Sequence, residues 1–148
     1  MSAPARTQPD PDFHDVPARL RVQVPARLDA ITPAVERIMA EARGMRCARG
    51  KEFEVETSLR EALSNAIRHG CRNDETKAVE IVVACDETQG MLIVVRDPGP
   101  GFDPARVPSP TSGQNIFRHH GRGIYLINQL MDEVSFGKNG SEIRMKKR

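Results

Sequence analysis

The stretch EALSNAIRHG, residues 61–70, places a carboxylate and an amide one helical turn apart, at Glu61 and Asn65. Residues at i and i+4 of a helix lie about 5 to 6 Å apart at Cβ, so both side chains can reach one bound group. On a helical wheel both follow one edge of the apolar stripe, which we expect to border the core without entering it. That edge carries Ser58, Glu61, Asn65 and His69. Taken alone, the pair is typical of a solvated helix edge.

A second group of candidate residues lies in DPGPGFDP, residues 97–104, directly after the most apolar strand that the pattern predicts. Gly99 and Gly101 alternate with prolines, which gives a backbone that can turn sharply and approach a ligand closely. Asp97 closes the strand, where a buried carboxylate is costly unless hydrogen-bond donors reach it. The amino group of a purine is one such donor, although a plain turn also accounts for the segment.

The third group is HHGRGIYLI, residues 119–127, at the start of a predicted helix. Backbone N–H groups of a first helical turn lack intrahelical partners, and the helix dipole favours an anion there. Gly121 and Gly123 flank Arg122, whose charge suits phosphate oxygens. The segment matches neither familiar phosphate-binding pattern. No Lys-Ser or Lys-Thr completes a P-loop, and Leu126 replaces the third glycine of GxGxxG.

The apolar periodicities predict the elements that position these residues. Alternation in LRVQVPA predicts a half-buried strand, and AVEIVVACD and MLIVVRD predict two more strands joined as a hairpin through ETQG. Helical spacing predicts one helix from about residue 28, a second that ends at Gly70 and a third over GIYLINQLMDEV. A closing hairpin turns at Asn139-Gly140. This order predicts an α+β fold: a two-layer α/β sandwich in which one mixed or antiparallel sheet carries helices on one face.

Length and composition favour one soluble domain. The chain has 148 residues and a formal charge of only +2, and its basic residues are spread along the sequence, which argues against direct nucleic-acid binding. No segment suits a signal peptide or a membrane span. The three cysteines, Cys47, Cys71 and Cys85, form no zinc pattern and favour a reducing compartment. We expect a cytoplasmic protein with a disordered, proline-rich leader over residues 1–17 and one domain over residues 18–148.

The order and spacing of the three groups resemble those of one family. The chain resembles the GHKL (Bergerat) ATP-binding fold shared by gyrase, Hsp90, histidine kinases and MutL, and within it the anti-sigma factor serine kinases of bacterial partner-switching systems. EALSNAIRHG is similar to the N box and DPGPGFDP to the G1 box. GRGIYLINQLMDEVSF, together with NGSEIRMKKR, is similar to the G2 region and the closing hairpin. The resemblance covers about residues 20–148.

The resemblance implies a role for each candidate residue. Glu61 would be the catalytic general base, and Asn65 would bind Mg²⁺, which keeps waters and bridges phosphates, so that one neutral amide suffices. Asp97 would accept the adenine amino hydrogen, and a lid over about residues 104–120 would cover the phosphates. His69 would either contact the ligand or pack at the helix end. Further nucleotide contacts would come from Gly99, Gly101, Gly121, Arg122, Gly123 and Ser141, the last of which stands where the family commonly has threonine.

The function that the resemblance implies is that of an anti-sigma factor which uses ATP and Mg²⁺ to phosphorylate a serine of a small STAS-type anti-anti-sigma protein. Such domains are usually dimeric and hold a sigma factor inactive. The alternative is a nucleotide-dependent protein-binding switch of the same fold without kinase activity. A histidine kinase fragment is not favoured, because the segment between His14 and Glu61 must already hold a strand and a helix of the ATP-binding domain.

Overall fold

The computed structural model describes residues 18–47, 49–86, 88–100, 119–137 and 140–148, and for residues 119–122 it describes the backbone alone. The leader over residues 1–17, Gly101 and all but the last two residues of the expected lid lie outside these ranges. The turn residue Asn139 also lies outside them.

The strands form one antiparallel sheet. They are β1 (Ala18–Pro25), β2 (Ala78–Asp86), β3 (Gly90–Arg96), β4 (Glu133–Gly137) and β5 (Glu142–Lys147). Their order across the sheet is β1-β2-β3-β5-β4, and every neighbouring pair is antiparallel. Of the two arrangements that the sequence left open, the antiparallel one is therefore observed, and both predicted hairpins, β2–β3 and β4–β5, are confirmed.

The helices are α1 (Ile31–Met45), α2 (Glu52–Asn65) and α3 (His119–Leu130). A short 3₁₀ turn, Leu28–Ala30, precedes α1, and a π-helical turn, Ala66–Gly70, continues α2. Pro33 lies in the first turn of α1, where the N–H group that proline lacks would have no intrahelical partner. No helix in the described ranges is both long and apolar enough to cross a bilayer.

The core lies between the helices and the inner face of the sheet. Inward-pointing strand residues such as Val22, Val24 and Ile93 are buried against the apolar stripes of α1 and α2, as the two periodicities predict. The buried residues of the second stripe are Val55, Leu59, Ala62, Leu63, Ala66 and Ile67. This packing presses α2 against the sheet and leaves Glu61 and Asn65 partly exposed along its edge.

The predicted end of the third helix is wrong. The apolar spacing runs on to Val134, but α3 ends at Leu130 and β4 begins at Glu133. The N–H of Asp132 donates to the carbonyl of Lys146 at 2.9 Å, and β4 then pairs with β5 along its length. Pairing with β5 satisfies the backbone groups of these residues, which outweighs a helical spacing that local sequence alone suggests.

Two side chains also differ from expectation. Ser58, expected at the border of the core, is fully buried, because α3 packs along that edge of α2. Leu28, expected to face inward at the start of the first helix, belongs to the 3₁₀ turn and is 42% exposed. Both differences come from neighbouring elements that the helical wheel does not include.

Candidate functional site

The backbone of α3 passes directly over Glu61 and Asn65 of α2. A Cβ atom built on Gly123 would lie 2.9 Å from Glu61 Oε1 and 3.2 Å from Asn65 Nδ2. Only a residue without a side chain fits this approach unless the two polar side chains move. The fold therefore brings the polar edge of α2 together with the glycine-containing part of α3, two groups that are far apart in the sequence.

A second close approach surrounds the carboxylate of Asp97. A Cβ atom on Gly70 would lie 2.2 Å from Asp97 Cγ, and one on Gly99 would lie 2.2 Å from the carbonyl oxygen of Gly70. The end of the π turn and the segment after β3 thus meet backbone to backbone, with the carboxylate between them. From the sequence, Gly70 is predicted only to end the second helix. Its position at the end of the EALSNAIRHG stretch was the one available signal for this contact.

Backbone hydrogen bonds fix the position of Asp97. Its N–H donates to the carbonyl of Ser141 at 2.9 Å, and the N–H of Gly99 donates to its Oδ1 at 2.8 Å. Ser141 is itself buried, and it directly precedes β5. No donor in the described part of the chain bonds Oδ2, so this oxygen is available to a ligand that carries an N–H group.

Burial raises the pKa of Asp97 above its ordinary value, and the hydrogen bond from Gly99 lowers it in part. A half-buried carboxylate with one unused acceptor is costly in the free protein, because the lost hydration is incompletely replaced. A ligand amino group directed at Oδ2 would replace it. The electrostatics therefore favour a hydrogen-bond donor at this point.

An ion-pair ladder lies on the outer face of the sheet beside Asp97. Arg96 donates from Nε to Glu142 at 2.6 Å and from an Nη atom to Glu80 at 3.1 Å. Glu80, Arg96 and Glu142 are cross-strand neighbours on β2, β3 and β5. The ladder joins the end of β3 to the start of β5, and so it holds the two strands that supply Asp97 and Ser141.

The π turn connects the two close approaches. The N–H of Cys71 donates to the carbonyl of Ala66 at 2.8 Å, five residues earlier, which widens the end of α2. Asn65 and Gly70 are separated by this turn, roughly 7 Å along the helix axis. π turns within helices occur frequently at functional sites, because they redirect the residues that follow. Here the turn delivers Gly70 to Asp97 while Asn65 stays beside Gly123.

The described residues fit a weakly held magnesium ion better than a dedicated metal site. No group of three or more His, Cys, Asp or Glu residues in the described ranges could hold a metal. Mg²⁺ commonly takes one or two protein oxygens and completes its shell with water and substrate phosphates. Asn65, partly exposed beside Glu61 and Gly123, is suited to such a role.

The structure gathers most of the residues that the sequence singled out. Glu61, Asn65 and Gly123 lie at one end of the candidate site, and Asp97, Gly99 and Ser141 lie at the other. α3 begins at His119, so the backbones of Gly121 and Arg122 belong to its first turn, where N–H groups lack helical partners. His69 is exposed. Gly101 lies outside the described residues.

Comparison with known protein families supports the resemblance that the order of the three motifs suggested. The family model described as "Histidine kinase-like ATPase domain" matches residues 24–147. The chain belongs to this family. Its membership confirms the predicted fold class and the resemblance carried by the three motifs.

Three curated relatives of the chain belong to one group of proteins within this family. The chain is 33% identical over 134 residues to the anti-sigma F factor of Clostridium perfringens (strain SM101), covering 86% of this chain and 84% of the relative. It is 31% identical over 134 residues to the anti-sigma F factor of Clostridium novyi (strain NT), with 86% and 82% covered. It is 36% identical over 101 residues to that of Geobacillus thermodenitrificans, with 64% and 67% covered. Within the family, the chain is thus similar to anti-sigma factors.

Proposed function

We propose that the chain is an anti-sigma factor and an ATP- and Mg²⁺-dependent serine kinase whose substrate is a STAS-type anti-anti-sigma protein. The observation that supports this most is the approach of Gly123 to Glu61 and Asn65, with a Cβ-equivalent distance of 2.9 Å to the carboxylate. It puts a candidate base, a candidate cation ligand and the start of a helix at one point. The similarity to anti-sigma F factors supports the anti-sigma part of the proposal.

At the Asp97 end the proposed ligand group is adenine. Its exocyclic amino group donates to Oδ2, the oxygen that no described donor bonds, while Gly70 and Gly99 let the base approach the backbone. Guanine presents a carbonyl oxygen at the same ring position, which would face a carboxylate without a proton between them. Leaving polar groups unpaired in this way costs about 1–3 kcal/mol of binding free energy. ATP should therefore bind roughly 5- to 150-fold more tightly than GTP.

At the Glu61 end the proposed chemistry is transfer of the γ-phosphoryl group. Glu61 accepts the proton of the incoming serine hydroxyl as its oxygen attacks phosphorus, and ADP leaves with the bridging oxygen. Asn65 holds Mg²⁺, which when bound neutralises charge on the phosphates. The first-turn N–H groups of α3, with Arg122, bind the phosphate oxygens.

The proposed regulation is partner switching by a dimeric, cytoplasmic protein. ATP and ADP shift the choice between the sigma factor and the antagonist only as far as each nucleotide favours a different arrangement around the phosphates. Phosphorylation of the antagonist adds charge to its contact surface and releases it. Light scattering of the purified chain tests the dimer, and a monomer at micromolar concentration would contradict it.

The decisive experiment compares the native chain with Glu61→Gln, using radiolabelled ATP and STAS-domain proteins encoded in the same genome. We expect a loss of about 10²-fold or more in the transfer rate with unchanged ATP affinity, since the amide keeps the shape of the side chain but cannot take the proton. The matched control is Glu56→Gln on the same helix, which removes only the partly exposed pair with Arg60.

Undiminished transfer by Glu61→Gln would refute its role as base. A native chain that binds ATP and a STAS-domain protein but transfers no phosphate would favour the alternative function, a nucleotide-dependent binding switch.

A further inference from the structure

Two of the three cysteines meet at the end of the sheet farthest from Asp97. Cys47 follows α1 directly after Arg46, and Cys85 lies near the end of β2. Their Cα atoms lie 5.9 Å apart and a disulfide joins them across 38 positions of sequence. This spacing is within the range that a disulfide spans without backbone movement. The wide sequence spacing that favoured a reducing compartment concealed this proximity.

The two sulfur atoms differ in accessibility. Cys85 is 5% exposed, whereas Cys47 is partly exposed in the turn after α1. A small oxidant or a reducing thiol therefore reaches the pair through Cys47. Cys71, the third cysteine, is fully buried and free. Burial raises the pKa of its thiol, with the nearby Asp97 adding to the effect, so Cys71 is poorly suited to redox chemistry.

Three cationic residues lie close to Cys47 in the sequence. Arg43, Arg46 and Arg49 lie within four positions of it, and all three are exposed. Cationic neighbours stabilise a thiolate, the form that attacks an oxidant. The carboxyl end of α1 acts in the opposite direction through its dipole, although this effect falls off within the last turn.

We propose that Cys47 and Cys85 form a reversible thiol–disulfide switch that closes with peroxide and ties the end of α1 to β2. The Cys47 thiolate attacks the peroxide oxygen, which gives a sulfenic acid and, after protonation of the leaving hydroxide, water. The Cys85 thiol then attacks the Cys47 sulfur, the S–S bond forms and a second water leaves. Two thiols and one hydrogen peroxide thus yield one disulfide and two waters. A dithiol reductant reopens the pair by exchange at the exposed Cys47 sulfur.

The switch acts on the scaffold and is separate from the proposed nucleotide chemistry. Cys85 pairs with Met91, whereas Asp97 follows Arg96, which pairs with Glu80. Asp97 follows Met91 by six positions along the strand, which places the two ends roughly 20 Å apart. The closed loop contains the whole of α2, but the bond itself joins only the end of α1 to the end of β2, so closure stabilises the fold without a contact at Glu61 or Asn65. Cys85 Sγ also lies 3.7 Å from the carbonyl oxygen of Met45, the last residue of α1, so the end of β2 contacts the end of α1 apart from the disulfide itself.

The test treats the reduced, purified full chain with hydrogen peroxide and counts free thiols under denaturing conditions. We expect three thiols before treatment and one after it, with a Cys47–Cys85 linked peptide in the non-reducing map. The melting temperature of the oxidised form should exceed that of the reduced form by about 10 °C, given a loop of this length. Dithiothreitol under native conditions should restore three thiols and the lower melting temperature.

Two variants keep the result interpretable. Cys71→Ser should close and reopen as the native chain does, whereas Cys47→Ser should show no peroxide-dependent change in melting temperature. Intermolecular disulfides, a linked peptide that includes Cys71, or no closure by peroxide would overturn the proposal. A closed form that dithiothreitol fails to reduce under native conditions would also overturn it, because the disulfide would then be a permanent structural bond. ATP affinity is measured separately in the oxidised and reduced forms. A failure of the disulfide proposal can therefore be told apart from a failure of the proposed kinase.

Discussion

Asp97 is the residue at which stability and the proposed function oppose each other most directly. Its pKa is raised by burial. A group with a raised folded-state pKa stabilises the fold fully below its unfolded value, and that contribution is lost as the pH rises through the folded value. At neutral pH the carboxylate is therefore ionised at a cost to the fold.

Asp97→Asn should accordingly raise the melting temperature at pH 7 to 8, and the gain should shrink towards pH 3. The amide oxygen can still accept the hydrogen bond that Gly99 donates, but its NH₂ group would meet the amino group of adenine, so ATP affinity should fall about tenfold or more. Melting curves across pH and titration calorimetry check the two effects. Asp74→Asn is the control of opposite sign, because hydrogen bonds from Thr76 lower the pKa of Asp74. An unstable Asp97→Asn protein at neutral pH would contradict this account.

Gly123 gives a second residue-scale prediction, in which activity is lost without loss of stability. In Gly123→Ala the methyl group would meet Glu61 and Asn65 at 2.9 and 3.2 Å, and these flexible side chains would give way by some tenths of an ångström. Alanine also stabilises a helix by about 0.5–1 kcal/mol relative to glycine, which offsets the contact. We expect phosphate transfer about tenfold slower or more, with a near-native melting temperature.

The matched control for this prediction is Gly44→Ala in α1. A Cβ atom on Gly44 would have no neighbour within 4 Å, so the variant should gain helix stability and keep full activity. Native transfer rates in Gly123→Ala would show that the approach of α3 to Glu61 is not needed for the chemistry.

At the scale of elements, the ladder on the outer sheet face should support the site on the inner side. Glu142 has a side chain that is 8% exposed and accepts a hydrogen bond from Arg96, which directly precedes Asp97. Glu142→Gln removes the charge of a nearly buried partner and should lower the free energy of unfolding by about 1–3 kcal/mol. ATP affinity should fall several-fold as well, because the backbone bond from Asp97 to Ser141 joins the same strand ends.

Chemical denaturation and calorimetry measure these two effects of Glu142→Gln. Asp29→Asn, which removes the exposed pair with Arg27, serves as control and should cost less than about 0.5 kcal/mol. Lowered stability with native ATP affinity would restrict the role of the ladder to the fold.

Local sequence patterns predicted whether each segment is a helix or a strand far better than they predicted which elements contact each other. Alternation in β1 and the helical stripes of α1 and α2 are visible in the sequence because each element has one face in the core. The boundary between α3 and β4 was misplaced, since the pairing of β4 with β5 decides it and Val134 suits both periodicities. Which strand of the closing hairpin adjoins β3 is likewise decided by tertiary packing, and the structure places β5 there.

The candidate site was also predicted only in part, because local sequence identifies individual residues but not the contacts between distant segments. Glu61, Asn65 and Asp97 have chemically informative types at informative positions, so they could be proposed from sequence. Gly70 meets Asp97 only through the π turn, and Ser58 is buried only because α3 lies beside it. Contacts of this kind depend on the packing of distant segments, which a single sequence does not specify.

For the whole molecule, the important feature is that one core supports every part of the site. A single cluster of buried side chains takes members from the sheet and from α1, α2 and α3, including Ile38, Leu63, Ile93 and Ile127. α2, α3 and the end of β3 therefore cannot separate without exposing this core, and a domain of this size is expected to unfold in one cooperative transition. A ligand bound at their junction should stabilise the entire described fold.

Mg²⁺-ATP at 100 times its dissociation constant should thus add about 2.7 kcal/mol to the free energy of unfolding and raise the melting temperature by roughly 5–10 °C. Glu61→Gln should keep the whole shift, since it alters proton transfer and leaves binding intact, whereas Asp97→Asn should lose most of it. The shift should be equal in the oxidised and reduced forms, because the Cys47–Cys85 pair lies at the far end of the sheet. Scanning calorimetry with ATP, ADP and GTP measures all of these. No shift with ATP would contradict both nucleotide binding and the proposed kinase activity. An equal shift with GTP would contradict the proposed role of Asp97 in selecting adenine.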